Sequence, residues 1–342
     1  MYRHQEFTML KKCLLTLRQQ HWRLISLCIL LLISVSIPQT AQLTNSIRNI
    51  SYDFYQRMLP RPYQAAPVKI IAIDDESLIK MGQFPWSRLK IAELITKLNA
   101  LSVRVIAFDM LFSEVDPRSP KQLAHLFKDN PQLSSELERL PDNDEVLATT
   151  IKNANNIVTS FMLSPDANTH KPMPKSIGNT FIKNTPSLNE LDCLYAGTKT
   201  LDPIENAAKG NATISYIADV DGVIRNVPLF LCAVDAQSPF GYRFYPTLSM
   251  EALRLYHQQS AYHINADEAS GAIDSIGLGK SVTIHPTESA HIWLHYTPQR
   301  PERYIPAWKI FENKIDKQAL EGHIVFIGVT ATNLFEIGRA HV

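Results

Sequence analysis

Acidic side chains cluster just beyond two apolar segments of the chain, residues 68–73 and 103–108. They are Asp74, Asp75, Glu76, Asp109, Glu114 and Asp116. Carboxylate oxygens are hard ligands, so such a cluster could hold a divalent cation or attract a cationic ligand. The same residue types also cap helices and form turns, which is the structural alternative. The sequence therefore predicts a candidate ligand-binding cluster here and leaves the structural role open.

Both apolar segments have the composition of buried strands, and the residues between them have the spacing of a helix. One face of that helix is predicted to carry Ile91, Leu94, Ile95, Leu98 and Leu101. A strand–helix–strand unit is right-handed, with parallel and, we expect, neighbouring strands. Asp74 and Asp109 would then lie at the carboxyl edge of one sheet, where open α/β sheets bind their ligands.

Five segments of the chain, in order, resemble the type-two CHASE domain, a sensory extracellular domain of bacterial transmembrane receptors. They are Ile73–Leu78, Gly82–Arg88, Ala107–Asp116, Asp219–Arg225 and Gly322–Ala331. Phe84 stands where the family's usual Trp-Pro-Trp-x-Arg pattern has its first tryptophan. Trp86 and Arg88 complete the candidate ligand-binding residues, with core packing as the alternative for Trp86. The resemblance extends from about Asn45 to Phe335 and implies a binding or sensing module without chemistry of its own.

Motifs for catalysis are missing from the sequence. It has no Gly-x-Ser-x-Gly elbow, no Walker loop, no Gly-x-Gly-x-x-Gly and no His/Cys spacing typical of zinc. We therefore expect no catalytic residue, no cofactor and no bound metal. The alternative from another class is a membrane-anchored periplasmic metal-dependent phosphohydrolase, with Asp74 and Asp109 as metal ligands.

The composition is that of a globular chain: 342 residues, 45% of them hydrophobic and 20% charged. A formal net charge of +1 gives no electrostatic reason to expect a nucleic-acid partner. The fold predicted is α/β, with a mainly parallel sheet, flanking helices and one antiparallel hairpin turning at Asp219–Gly222. A calcium loop at that turn lacks the further acids it would need. Arg225 either pairs with a sheet-edge carboxylate or lies in solvent.

The N-terminal part of the sequence predicts a membrane anchor. Residues 24–47 carry no charge, and basic residues outnumber Glu6 before them. This predicts a cytoplasmic segment 1–23, a transmembrane helix 24–44 and an extracytoplasmic domain 45–335 in the bacterial inner membrane. A cleaved signal peptide is the alternative. Cys193 and Cys232 would then face an oxidising compartment, as a disulfide or as two separate buried thiols.

The last seven residues, 336–342, correspond to the translation of a common sequencing adapter, so we expect a non-native tail on a truncated receptor. The resemblance implies a missing C-terminal output domain: first an adenylate, guanylate or diguanylate cyclase, otherwise a histidine or protein kinase. It also implies an unidentified small-molecule or ionic stimulus. Most receptors of this kind are homodimers, and the helical stripe Leu43, Ile47, Ile50 and Phe54 would support that contact.

Overall fold

The computed structural model of the protein describes residues 25–28, 41–167, 172–187, 191, 193–216, 219, 221–238, 240–280, 282–287 and 289–332. They form two compact units. The first contains the residues through Pro62 together with His295–Pro298, and the second contains Tyr63–Leu294 and the residues from Gln299 onward.

The first unit is built around helix α1 (Ala41–Met58). Its C-terminal end is held by residues of the 295–298 segment: the Tyr296 N–H donates to Gln56 Oε1 at 3.0 Å, and His295 Nε2 lies 3.1 Å from the Leu59 carbonyl oxygen. No helix within the described ranges is long and apolar enough to cross a bilayer. The predicted span 24–44 lies mostly outside those ranges, which include only its helical residues 25–28 and the start of α1.

The second unit contains the remaining described helices and all the described strands. Its helices are α2 (Asp75–Met81), α3 (Arg88–Ala100), α4 (Pro120–Leu126), α5 (Pro131–Glu138), α6 (Asn143–Ala154), α7 (Asp202–Ala207), α8 (Leu248–Tyr256) and α9 (Ala307–Phe311). Its strands are β1 (Val68–Ile73), β2 (Val105–Phe108), β3 (Ile157–Ser164), β4 (Asn179–Lys183), β5 (Cys193–Thr198), β6 (Gly210–Thr213), β7 (Asn226–Pro228), β8 (Phe230–Val234), β9 (Tyr242–Pro246), β10 (Ala261–Ala266), β11 (Ile273–Leu278), β12 (Val282–Ile284), β13 (His291–Trp293), β14 (Tyr304–Pro306) and β15 (Ile324–Val329). The architecture is mixed α/β.

A nine-stranded sheet forms the centre of this unit, in the order β14-β1-β15-β2-β3-β5-β8-β9, with β6 also paired to β3. The pairings from β14 through β3, and that of β6 with β3, are parallel. The sheet becomes antiparallel where β5 joins β3 and where β9 joins β8. A second sheet has the order β12-β11-β10-β4, and β7 pairs with β13.

The prediction that β1 and β2 are neighbours is wrong. They are parallel, but β15 lies between them and pairs with both. This last strand is apolar along its length and fills a central position that the local strand–helix–strand pattern could not reveal. Asp74 and Asp109 therefore lie at the same edge of the sheet with one strand between them.

The helix predicted between these strands is confirmed as α3. Four of the five apolar residues predicted for its inner face are fully buried within it: Ile91, Leu94, Ile95 and Leu98. Ser87 caps its first turn by accepting a hydrogen bond from the Lys90 N–H. The cap and the apolar face together place Arg88, the first residue of α3, beside the loop that follows β2.

The predicted antiparallel hairpin at Asp219–Gly222 is also wrong, although the turn itself forms. The Asp219 N–H donates to the Val223 carbonyl oxygen at 3.2 Å, and Gly222 has a φ of 77°. The flanking segments find other partners, because β6 is buried at every position and pairs in parallel with β3, while β7 pairs with β13. Antiparallel hairpin pairing occurs instead between β8 and β9 and between β10 and β11.

Candidate functional site

The three acids after β1 belong to the first turn of α2 and its cap. Asp74 is the N-cap residue, and its Oδ1 accepts the Ser77 N–H at 2.8 Å. Asp75 Oδ2 accepts the hydroxyl of Thr332 at 2.8 Å. Glu76 forms an ion pair with Lys80 at 2.8 Å, and the hydrogen bond with Lys80 lowers the pKa of Glu76. Each carboxylate therefore already has a local structural partner.

Asp109 is different from these acids. Its backbone N–H donates to the Ile327 carbonyl oxygen at 2.8 Å, which fixes it at the end of β2 beside β15. Gly328 on β15 is its neighbour, since a Cβ at that position would lie 3.7 Å from Asp109 Oδ2, an ordinary contact distance. Solvent reaches the side chain, yet the surrounding protein raises the pKa of Asp109 by desolvation. Within the described residues its carboxylate accepts no hydrogen bond.

Arg88 and Asp116 are brought together, but as parts of one structural network. Arg88 Nε donates to Asp144 Oδ1 at 3.0 Å, and Nη2 donates to the Glu114 carbonyl oxygen at 2.8 Å. The Arg88 backbone N–H donates to Asp116 Oδ2 at 2.8 Å. The guanidinium also lies 4.8 Å from the centre of the Phe112 ring. The side chain of Arg88 is thus used to hold the loop after β2 against α3 and α6.

Asp116 is only 2% exposed and accepts three hydrogen bonds. Besides the Arg88 N–H, these come from Asn143 Nδ2 and the Arg118 N–H, each at 2.9 Å. Desolvation, which raises the pKa of Asp116, is the largest single influence, but these hydrogen bonds and Arg88 together outweigh it and leave the pKa lowered. The buried, ionised carboxylate stabilises the loop after β2. The side chain of Glu114 is exposed.

Trp86 occupies the core, as its packing alternative predicted. It is 3% exposed, and its Nε1–H donates to the Gly82 carbonyl oxygen at 2.8 Å. Its ring meets Phe311 edge-on at 5.5 Å and Phe84 at 6.3 Å. Phe84, which replaces the family's tryptophan, therefore still supplies an aromatic contact at the same place.

Sequence reasoning missed Asp144, the ion-pair partner of Arg88, and Asn143, which donates to Asp116. Asp144 and Asn143 lie in the first turn of α6, and Asp142 is its N-cap. The acidic string before an apolar helical pattern is a signal for a helix N-terminus. Its pairing with Arg88, 56 residues earlier in the chain, is a tertiary contact without a local signal.

The acids of the turn at Asp219–Gly222 are paired with an arginine from the same segment. Arg225 is 3% exposed; its Nη1 donates to Asp219 Oδ2 at 2.7 Å, and its Nη2 donates to Asp221 Oδ2 at 2.7 Å. Neither expectation for Arg225 is right: it is buried, and its partners are the acids of its own turn. The guanidinium pairs with both carboxylates that a calcium loop at this turn would have used as ligands, so these acids serve a structural role.

Cys193 and Cys232 form a disulfide, which settles the alternatives left open by the sequence. They are directly opposite each other in the parallel pair β5 and β8. Among the described residues, Cys28 is a free and exposed cysteine. The disulfide joins two neighbouring strands of the large sheet, and bonds of this kind persist in oxidising compartments.

The predicted site residues therefore do not converge on one ligand. The first turn of α2 uses Asp74, Asp75 and Glu76 in capping and local pairing. The loop after β2 is anchored by Arg88 and Asp116, and Trp86 packs in the core. Throughout the part of the chain that is described, no group of three or more His, Cys, Asp or Glu side chains could hold a metal ion. Asp109 and Glu114 are the predicted site residues whose carboxylates accept no hydrogen bond within the described part of the chain.

Comparison with protein families gives one match, to the CHASE2 domain, over residues 25–339. Neither the curated proteins nor the solved structures include a match to this chain. The family match covers most of the chain, and the five segments that resembled the type-two CHASE pattern lie within it. The chain belongs to the CHASE2 domain family, a family of extracellular sensory domains.

Proposed function

We propose that this chain is the extracytoplasmic input part of a membrane-anchored bacterial receptor. Residues 1–23 would lie in the cytoplasm, residues 24–44 would span the inner membrane, and residues 45–335 would sense a stimulus in the periplasm. The disulfide between Cys193 and Cys232 is the observation that supports this placement most strongly, because cytoplasmic proteins rarely keep such bonds.

The output of the receptor would lie beyond this chain. By family resemblance, our first candidate is a nucleotide cyclase acting on ATP, GTP or two GTP molecules, followed by a histidine or protein kinase. Ligand binding can control such an output only if the ligand prefers one of two states of the domain. The stimulus would be a small molecule or an ion.

A homodimer is part of the same proposal. Helix α1 carries exposed apolar residues at helical spacing, namely Ile47, Ile50, Phe54 and Met58. The side chain of Leu43, which was predicted to begin this stripe, lies outside the described residues. A second copy of the helix would cover this face and would transmit a change in the domain toward the membrane.

The topology can be tested with reporter fusions after Thr332, the last described residue. Alkaline phosphatase, which is active only outside the cytoplasm, should be active in the fusion, and green fluorescent protein at the same position should be dark. Deleting residues 1–44 should reverse both results. A fluorescent, phosphatase-inactive fusion of the undeleted chain would refute the extracytoplasmic placement.

A further inference from the structure

The second unit contains a cavity of about 310 Å³ that the predicted site residues do not line. It lies between β4, the terminal strand of the four-stranded sheet, and β9, the terminal strand of the large sheet. We call it the β4–β9 cavity. Its volume falls at the lower end of the range for small-molecule sites, about 300–1,000 Å³. No described strand pairs with the outer edge of β4 or of β9, so backbone groups on both sides can offer hydrogen bonds to a ligand.

Polar side chains contribute to the lining from both sides of the cavity. Ser176, Asn179 and Thr180 lie in or just before β4, and Ser238 lies in the loop before β9. Hydroxyl and amide groups can both donate and accept, so they suit a ligand with a polar head.

Arg243 is the one charged residue among the described residues that line the cavity. Its Nη2 forms an ion pair with Oδ2 of the buried Asp235 at 2.8 Å. A guanidinium has five N–H donors, so this ion pair leaves donors for a ligand. A planar fork of this kind matches the two oxygens of a carboxylate.

Aromatic rings provide the apolar part of the lining. Tyr242 and Phe244 are buried, whereas Phe240 at the rim is 52% exposed. The ring of Phe240 lies 6.1 Å from that of Tyr242, centre to centre. A flat apolar group entering the cavity would cover Phe240 and remove its exposed surface from water.

We propose that the β4–β9 cavity binds a small monocarboxylate that carries an aromatic ring. The carboxylate would accept hydrogen bonds from Arg243, and the ring would pack against Phe240. This inference rests on the proposed sensory function and names the chemical class of its stimulus. The ligand would bridge the terminal strands of two sheets and would therefore favour one arrangement of them.

A buried ion pair, Glu251–Arg254, packs against the segment that leads into β4. Glu251 is fully buried and accepts two hydrogen bonds from Arg254, at 2.9 and 2.6 Å. Gly178, which lines the cavity, packs so closely on this pair that a Cβ there would lie 3.0 Å from Arg254 Nε. The pair thus supports the cavity wall from the protein side and is not available to the ligand.

Phenylacetate is a suitable probe, because it has the carboxylate and the ring and little else. Its binding to the full chain in detergent micelles can be measured by isothermal titration calorimetry. We expect saturable binding of phenylacetate at millimolar concentration, and weaker binding of acetate, which lacks the ring. Phe240→Ala should weaken phenylacetate binding about fivefold, the usual value of one aromatic contact.

Phe181→Ala is the matched control. Phe181 lies in β4 and is 57% exposed, but it is not among the residues that line the cavity. Its removal should leave binding unchanged. Arg243→Lys keeps the charge beside Asp235 and should still weaken binding, because the planar fork is lost.

Absence of saturable binding, or equal binding by the wild type and Phe240→Ala, would overturn the proposal. Equal losses in Phe240→Ala and Phe181→Ala would overturn it as well. None of these results bears on the reporter fusions, which test the placement of the domain independently. Conversely, a wrong topology with specific phenylacetate binding would leave the cavity assignment standing.

Discussion

Arg88 Nε lies 3.0 Å from Asp144 Oδ1, and the other oxygen of that carboxylate accepts the Asp116 N–H at 2.9 Å. One buried carboxylate on α6 thereby connects the first residue of α3 with the loop that follows β2. This relationship explains why an arginine and a distant aspartate of the CHASE-type segments are found together. Their position at the carboxyl edge of the sheet reflects the anchoring of that loop.

Removing the Arg88 side chain should strongly destabilise the protein. Arg88→Met would leave Asp144 charged, buried and without its ion-pair partner, which typically costs about 3–5 kcal/mol. Chemical denaturation would measure this as a lower free energy of unfolding. The control is Lys317→Met, which removes an exposed pair with Glu321 at 3.4 Å and should cost less than about 1 kcal/mol. Equal effects of the two substitutions would show that the Arg88 network is not structural.

The turn at Asp219–Gly222 should lose stability in acid. Hydrogen bonds with Arg225 lower the pKa of Asp221 from 3.8 to about 2. Because the folded-state pKa is depressed, its stabilising contribution is present above pH 3.8 and is lost as the pH falls toward 2. The difference in Tm between the wild type and Asp221→Asn should therefore shrink over that interval. Asp221 is half exposed, so solvent screening keeps the effect modest.

Asp274→Asn serves as the control for this titration, since Asp274 is exposed on β11 and forms no ion pair within the described residues. Its Tm difference should not follow the same pH dependence. A constant difference between wild type and Asp221→Asn from neutral pH down to pH 2 would contradict the assigned pairing with Arg225.

Asp109 should behave in the opposite way. Desolvation raises its pKa above 3.8, so the ionised carboxylate costs stability at neutral pH, and this cost disappears below pH 3.8. Asp109→Asn should therefore raise the Tm at pH 7 and leave it unchanged at about pH 3. Asp129→Asn, at an exposed position, should change neither value. A lower Tm for Asp109→Asn at pH 7 would mean that the carboxylate has a stabilising partner.

The same variant, Asp109→Asn, also tests the metal-dependent phosphohydrolase alternative, because Asp109 is one of its two predicted metal ligands. Such an enzyme should release phosphate from a generic ester when Mg²⁺ or Mn²⁺ is added, and should lose that activity in Asp109→Asn. Under the sensory proposal, the wild type and the variant should be equally inactive with either metal.

The backbone packs closely on the Glu251–Arg254 pair, and substitutions at two strand glycines test this packing. A Cβ at Gly210 would lie 2.6 Å from Glu251 Oε1, whereas the nearest atom to one at Gly277 would be 3.6 Å away. Gly210→Ala should therefore destabilise the protein by about 1–3 kcal/mol, the usual cost of overpacking. Gly277→Ala, also within a strand, should be tolerated, as thermal unfolding of both variants would show. Equal Tm values for the two variants would contradict the tight packing at Glu251.

The local pattern of residues predicted much of the fold. The two apolar segments became β1 and β2, and the helical spacing after Ser87 became α3. The sequence could not reveal that β15 separates β1 from β2, because strand order depends on contacts between distant parts of the chain. The Asp-Gly turn led to a wrong prediction for a related reason. It indicates a local reversal of the chain, but β6 pairs with β3 and β7 pairs with β13, which lie elsewhere in the sequence.

The candidate site was less predictable than the fold. Residue types placed the carboxylates at the sheet edge, yet helix capping and the Arg88 network account for most of them. The β4–β9 cavity had no sequence signal, because Arg243 and Phe240 meet the residues of β4 only through tertiary packing. The pairing of Cys193 with Cys232 likewise depends on the register of β5 and β8.

The redox state of Cys193 and Cys232 in intact cells tests the proposed extracytoplasmic placement most directly. Thiols would be trapped with an alkylating reagent before lysis, and the peptides that contain the two residues would be identified by mass spectrometry. We expect the disulfide in the full chain and free, alkylated thiols when residues 1–44 are deleted. Alkylated thiols at both positions in the full chain would contradict the placement of this CHASE2 domain outside the cytoplasm.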